Sequence, residues 1–331
     1  MEPSNLALFW AGVIAVAILV YVILDGFDLG VGILFGTTRR EEQRLQMMNT
    51  IAPFWDGNET WLVVIGAGLF AAFPVVYTVF LGAFYIPVLL LLFGLIFRGV
   101  AFEFRHRTER MRWLWDWGLF LGSTVVAFVQ GAAVGAMMRG IPVENGQYAG
   151  GALGWLAPFP ILTGIGLVLG YALLGASWLV LKSEDQVRDW AYARLPWLTG
   201  AVLTVLVIAV TLTLDYSALA QGHWGERRWG LVFPVIGVLA LLGILFGARK
   251  KHDALPFAMS VLFFVAAFLT LGVMFWPYMI PYSMTVGNAA APHASLSFFF
   301  YGAGIFVLPM MVAYTVYVYW IFRGKVHTGY G

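Results

Sequence analysis

The chain has 331 residues, of which 61% are apolar and 11% charged, with a formal net charge of +2 and no cysteine. A soluble domain holds roughly 45–50% apolar residues, so this chain has too little polar surface for a water-facing globule and reads as a polytopic membrane protein. The missing cysteines exclude disulfides, thiolate-bound iron–sulfur clusters and thiolate-ligated haem.

A membrane crossing needs about 20 apolar residues. Nine such runs are predicted: Leu8–Phe35, Gly57–Phe73, Val76–Val100, Trp115–Met138, Phe159–Leu181, Trp197–Leu214, Trp229–Gly247, Leu255–Trp276 and Phe298–Phe322. The fold class is therefore all-α, one integral-membrane domain over residues 1–331. The opening MEPSN has no Lys or Arg and its apolar run is long, so the first segment is expected to be a retained helix rather than a signal peptide. The second run is short, and Pro74 separates it from the third, which predicts a hairpin. Trp115, Trp155, Trp197, Trp229, Trp276 and Trp320 mark span ends, as in interfacial belts.

Basic residues set the orientation. Sixteen fall on one side: Arg39, Arg40, Arg44, Arg98, Arg105, Arg107, Arg110, Arg112, Lys182, Arg188, Arg194, Arg249, Lys250, Lys251, Arg323 and Lys325. The other side has three, Arg139, Arg227 and Arg228. The asymmetry places the N-terminus outside and the C-terminus in the cytoplasm. The run Arg105–Arg112 (RHRTERMR) reads as an orientation signal with some anionic-lipid contact, not a nucleic-acid site. Small-xxx-small pairs such as Gly26/Gly30, Gly32/Gly36, Gly118/Gly122 and Gly131/Gly135 read as close helix packing.

Four acids stand out because acidic side chains at membrane depth are costly. Asp25 and Asp28 lie in LDGFDLGVG, and Asp56 and Glu59 in IAPFWDGNETW. Counted from Leu8 at 1.5 Å per residue, Asp25 is roughly 25 Å into a core of about 30 Å. The i, i+3 spacing puts Asp28 on the same helix face. By the loop count all four acids converge on the inner leaflet, with Gln130 the deepest polar residue near their level. Two readings stay open for each pair. D-G-N-E has the spacing of a capping box, with Asp56 as N-cap and Glu59 three residues on. Asp25 can pair with an inner arginine such as Arg39 or Arg98. Against these stands a proton-entry path through the same carboxylates, which capping does not preclude.

The five histidines, His106, His223, His252, His293 and His327, all fall in predicted loops or tails. A haem held between helices wants an axial ligand inside the membrane, so no haem is expected on this chain's own ligands. The histidines are too scattered for a zinc site.

At DGFDLGVG, IAPFWDGNETWLVVIGAGLFAAFP, FYIPVLLLLFGLIFRGVAFEFR, WDWGLFLGS and WPYMIPYSMTVGNAAAP, the sequence resembles subunit II of the cytochrome bd-type ubiquinol oxidases over nearly its whole length. The GNETW wording is similar to the cyanide-insensitive branch. The resemblance implies a heterodimeric quinol:oxygen oxidoreductase of the bacterial inner membrane. Its partner, subunit I, carries haem b and, in most members, haem d. The complex oxidises ubiquinol and reduces oxygen to water without pumping protons. The resemblance further implies two four-helix bundles plus a peripheral helix for this chain. It leaves room for a structural quinone and a small single-helix third subunit. It assigns proton uptake to Asp25, Asp28 and Asp56, with Glu59 weaker because many relatives have Gln there. The Val286-Gly-Asn-Ala wording of the last loop departs from the commoner pattern. A stand-alone proton-coupled transporter and a purely scaffolding subunit are the competing readings.

Overall fold

The computed structural model describes residues 2–215 and 227–326. It is predominantly helical, and eight of its helices are long and apolar enough to cross a membrane among the described residues. In chain order they begin with α1 (Asn5–Phe35), α2 (Glu41–Ile51), α3 (Trp55–Ala72), α4 (Pro74–Ala83), α5 (Tyr85–Phe104) and α6 (Arg112–Arg139). Then follow α7 (Pro158–Lys182), α8 (Asp185–Asp215), α9 (Val232–Lys250) and α10 (Ala254–Phe275). The chain closes with the short α11 (Val286–Ala289) and α12 (His293–Phe299), a π-helical turn at Phe300–Gly304, and α13 (Val307–Ile321). α3 is not among the eight because its first turns carry Asp56, Asn58 and Glu59.

Packing is tightest where α1 and α7 cross. Every residue from Asp25 to Phe35 in α1 and from Gly170 to Val180 in α7 is buried. Glycine makes the crossing possible: a Cβ on Gly30 would lie 1.9 Å from the Tyr171 carbonyl oxygen, and one on Gly175 would lie 2.4 Å from the Gly30 carbonyl carbon. Backbones that touch this closely exclude any side chain. α5 and α6 approach in the same way, with a Gly122 Cβ placed 2.6 Å from the Gly94 oxygen. Two main apolar cores result. One surrounds Phe27, Phe35, Met47, Trp178 and Tyr171, and the other Trp10, Phe73, Phe84 and Trp155.

Several expected boundaries move. α2 was not anticipated: it is a polar helix whose Met47, Met48 and Ile51 dock on the first core. α8 begins at Asp185 instead of Trp197, because Val187, Ala191 and Leu195 repeat at helical spacing and are buried despite the charges between them. Trp197 consequently lies well inside the helix and is 82% exposed. Pro74 does start a new helix, but the third run breaks at Phe84 into α4 and α5, and α3 packs chiefly on α1. The segment after α6 holds a two-residue hairpin, Val143–Glu144 with Gln147–Tyr148, closed by Asn145 and Gly146 at φ 50° and 75°. Asn-Gly with both φ positive is the turn that suits strand twist. Val286–Ala289, the divergent wording, is a helix turn with a Thr285/Asn288 capping box.

Gly30→Val should be among the most damaging single changes in the chain, because the added atoms meet backbone that no rotamer relieves. Overpacking of this kind costs about 1–3 kcal/mol or more. A lower unfolding temperature and yield in detergent, with Gly12→Val near neutral as a control in open space, is the expected result.

Candidate functional site

α1, α3 and α5 meet around one guanidinium. Arg98 of α5 is 1% exposed, and Asp25 and Asp28 of α1 are both 0% exposed. Arg98 Nη1 donates to Asp25 Oδ1 at 2.9 Å and to Glu59 Oε1 at 2.6 Å, while Nη2 lies 4.0 Å from Asp28 Oδ2. Asn58 of α3, also buried, donates through Nδ2 to Asp28 Oδ2 at 2.6 Å and to the Leu24 carbonyl at 3.2 Å. The Tyr319 hydroxyl of α13 donates to Asn58 Oδ1 at 3.1 Å. Asp25 Oδ2, Asp28 Oδ1 and Arg98 Nη2 are buried without a hydrogen-bond partner among the described residues. One cation thus faces three carboxylates, and the group is electroneutral only when it also holds two protons.

A second polar group continues along α1. One turn before Asp25, the Tyr21 hydroxyl accepts from Gln130 Nε2 at 2.9 Å, and the Tyr171 hydroxyl donates to Gln130 Oε1 at 2.8 Å. A third group lies past the end of α1. Asp116 accepts from Arg44 and Arg105, each at 2.6 Å, and Glu41 accepts from Arg105 at 2.8 Å and Arg112 at 3.4 Å. Both Arg44 and Arg105 lie over the Phe35 ring. Partial burial pushes the Glu41 carboxyl up, but the hydrogen bond and charge of Arg105, with Arg112 and Arg44, outweigh it and hold Glu41 below its usual value.

The structure brings together three of the four acids singled out in the sequence. Asp25, Asp28 and Glu59 share Arg98, whereas Asp56 is exposed in the first turn of α3. The capping-box reading is corrected: the N-cap is Phe54, no side chain caps the helix, and Glu59 turns to Arg98 instead. Glu59, ranked below Asp56 as a proton carrier, is the one of the two that shares Arg98 with Asp25. Of the two proposed partners for Asp25, Arg98 is the one used. Arg98 and Arg105, counted as loop cations, are both buried at 1% exposure. His106 and His252 lie between the long helices, His293 opens α12 instead of lying in a loop, and His223 and His327 fall outside the described residues. No three His, Cys, Asp or Glu side chains are grouped as metal ligands among the described residues. Sequence reasoning missed Asn58 and Tyr319. Asn58 sits inside the acidic motif and carried a signal; Tyr319, one of 14 tyrosines, did not.

The model of the family described as cytochrome bd terminal oxidase subunit II matches residues 6–322. The chain is 31% identical to cytochrome bd-I ubiquinol oxidase subunit 2 of Escherichia coli (strain K12), over 98% of this chain and 96% of that one. It is 30% identical to cytochrome bd ubiquinol oxidase subunit 2 of Bacillus subtilis (strain 168), over 96% of each. Among solved structures, a chain of the bd oxidase from Geobacillus thermodenitrificans matches with a TM-score of 0.75 at 15% identity, covering 96% of this chain and 99% of that chain. This last likeness concerns the fold.

Removing one partner of a buried ion pair strands the other charge and costs about 3–5 kcal/mol. Arg98→Met should therefore lower the unfolding temperature sharply, and adding Asp25→Asn should recover part of the loss in a double-mutant cycle. Past the end of α1, a carboxyl held below its usual value, as Glu41 is, keeps its ionic contacts above the ordinary carboxylate range and loses them as pH falls through the lowered value. Protease sensitivity of the 41–51 segment should accordingly stay flat from neutral pH down to about pH 5 and rise only in stronger acid. Glu41→Gln should raise it at neutral pH.

Proposed function

The chain belongs to the cytochrome bd terminal oxidase subunit II family, and from that premise we propose that it is the haem-free subunit of a quinol:oxygen oxidoreductase and takes up protons from the cytoplasm for oxygen reduction. Haem b and haem d, held by subunit I, supply the electron transfer and oxygen chemistry. This chain's task is to hold its partner and to deliver protons toward it. The eight long helices and α3 make nine crossings, arranged as two four-helix bundles plus one, with the N-terminus outside and the C-terminus in the cytoplasm. The complex lies in the bacterial inner membrane, oxidises ubiquinol and builds proton-motive force without pumping. A structural quinone and a small single-helix third subunit are compatible with this arrangement.

The observation that carries the proton reading is the charge balance around Arg98. Three carboxylates share one buried guanidinium, and intramembrane acids facing the interior of a bundle mark proton relays. Access is graded. Asp56 is exposed, Glu59 is 21% exposed, and Asp25 and Asp28 are sealed. A proton captured at Asp56 passes to Glu59, one helical turn along α3, and from there across Arg98 to Asp25. Asp28 shares the inner group, held by Asn58.

Asp25→Asn, Glu59→Gln and Asp56→Asn should each slow oxygen consumption per haem in the assembled oxidase, with the two buried-group variants losing about tenfold or more and Asp56→Asn less. The complex should still purify with its partner. Unchanged turnover and proton uptake in all three variants would leave this chain as a scaffold only.

A further inference from the structure

The last long helix is held in an unusual way. No residue of α13 is buried. An open apolar groove of about 790 Å³, lined by Phe9, Val13, Leu308, Val312 and Val316 among others, separates its middle from α1. Along its length Tyr314 approaches Gly57 of α3 and Met311 packs against the Tyr21 and Trp61 cluster. Ring stacking and hydrogen bonds anchor its two ends.

At the outer end, Trp10 stacks on Phe299 at 4.1 Å and donates through Nε1 to the Leu296 carbonyl at 3.3 Å. At the inner end, Tyr319 stacks on Phe54 with ring centres 4.6 Å apart. Beyond it the chain is clasped. Lys182 Nζ donates to the Phe322 carbonyl and, at 2.9 Å, to the Gly324 carbonyl, and the Val326 amide returns a bond to Lys182 O at 2.8 Å. Lys325 Nζ meets Asp253 Oδ2 at 2.6 Å and the Ser183 carbonyl at 3.3 Å. Partial burial pushes Asp253 up, but hydrogen bonds from Arg188, Lys325 and Tyr192 outweigh it and hold the carboxyl at about 2. The clasp is thus fully ionic above the ordinary carboxylate range and yields only in strong acid.

The inner end of α13 reaches the buried carboxylates through one atom. An asparagine amide has an accepting end and a donating end. With Tyr319 donating to Oδ1, Nδ2 faces Asp28 Oδ2 and the Leu24 carbonyl. We propose that Tyr319 is a positioning residue for proton uptake, its hydroxyl orienting Asn58 toward Asp28, and that the clasp of residues 322–326 on Lys182 and Asp253 holds it in place. This rests on the proton-uptake reading of the site. The charged and titratable groups facing Asp28 are Asp25 on its own helix, Arg98 on α5, Glu59 on α3 and Tyr319 on α13. Losing the tyrosine hydroxyl removes one neutral contact and leaves every charge in the group intact.

The test compares Tyr319→Phe, Lys182→Gln and Asp28→Asn in the assembled oxidase, measuring oxygen consumed per haem across pH and the infrared carboxyl bands that Asp28→Asn removes. Tyr319→Phe should lower turnover roughly threefold to tenfold, the worth of one hydrogen bond, displace the pH profile and move the Asp28 band. Lys182→Gln should act in the same direction but less. If Tyr319→Phe does not assemble, Lys182→Gln carries the test alone. A merely structural tyrosine would reduce the amount of complex while leaving turnover per haem, pH profile and carboxyl bands unchanged, and that result overturns the proposal. Asp28→Asn separates the two levels. If it alters turnover while Tyr319→Phe does not, only the positioning role falls; if it is silent as well, the proton reading falls and takes the positioning role with it.

Discussion

Arg98 is the constraint on which the meeting of α1, α3 and α5 depends. A guanidinium cannot shed its proton, and out of water it persists only with carboxylates in contact. Placed in the run GLIFRGVAF on α5, it forces α1 and α3 to bring acids to it. The acids are as dependent on the arginine as it is on them, since Asp25 and Asp28 are completely buried. Three helices are tied together at one point by charge, in a medium where apolar contact between helices is no better than contact with lipid tails.

The glycine-lined crossings set the precision of that tie. Gly30 and Gly175 let α1 and α7 touch at the backbone, and Gly94 and Gly122 do the same for α5 and α6. α1 is therefore fixed on one side by α7, and α5 is fixed by α6. The Asp25–Arg98 contact bridges two elements whose spacing is already determined. Polar groups gain most from such pre-setting, because a charge pair that must find its geometry loses side-chain entropy that a fixed one does not. α13 contrasts with this. It borders an open groove, has no buried residue and is anchored chiefly at its ends.

Much of this was legible in the residues. Apolar runs located the long helices, and the cost of membrane-depth carboxylates selected three of the groups that meet. Arg98 was visible as a partner for Asp25, yet also counted as a loop cation, because charge alone does not say whether an arginine faces water or a carboxylate. The capping-box pattern at Asp56 misled for a related reason: the same spacing that suits a cap also points Glu59, one turn on, toward α5. α2 escaped notice because its apolar residues are few and a polar helix lying on the bundle has no long hydropathy signal. Tyr319 could not be read at all. Its contact with Asn58 spans 261 positions, and no local pattern encodes a partner so far away.

The shared donor has a consequence for how the carboxylates act together. Arg98 Nη1 carries two N–H groups and donates to both Asp25 and Glu59, so the two carboxylates share the charge of one guanidinium. On the proposed proton route, protonating Glu59 would remove its charge and leave the guanidinium attracted to Asp25 and Asp28 alone. Moving that proton on to Asp25 would reverse the balance and strengthen the contact of Arg98 with a newly ionised Glu59. An arginine that never changes its own charge can in this way link the partly exposed Glu59 to the sealed Asp25. It does so without the helices moving, which the glycine crossings would resist.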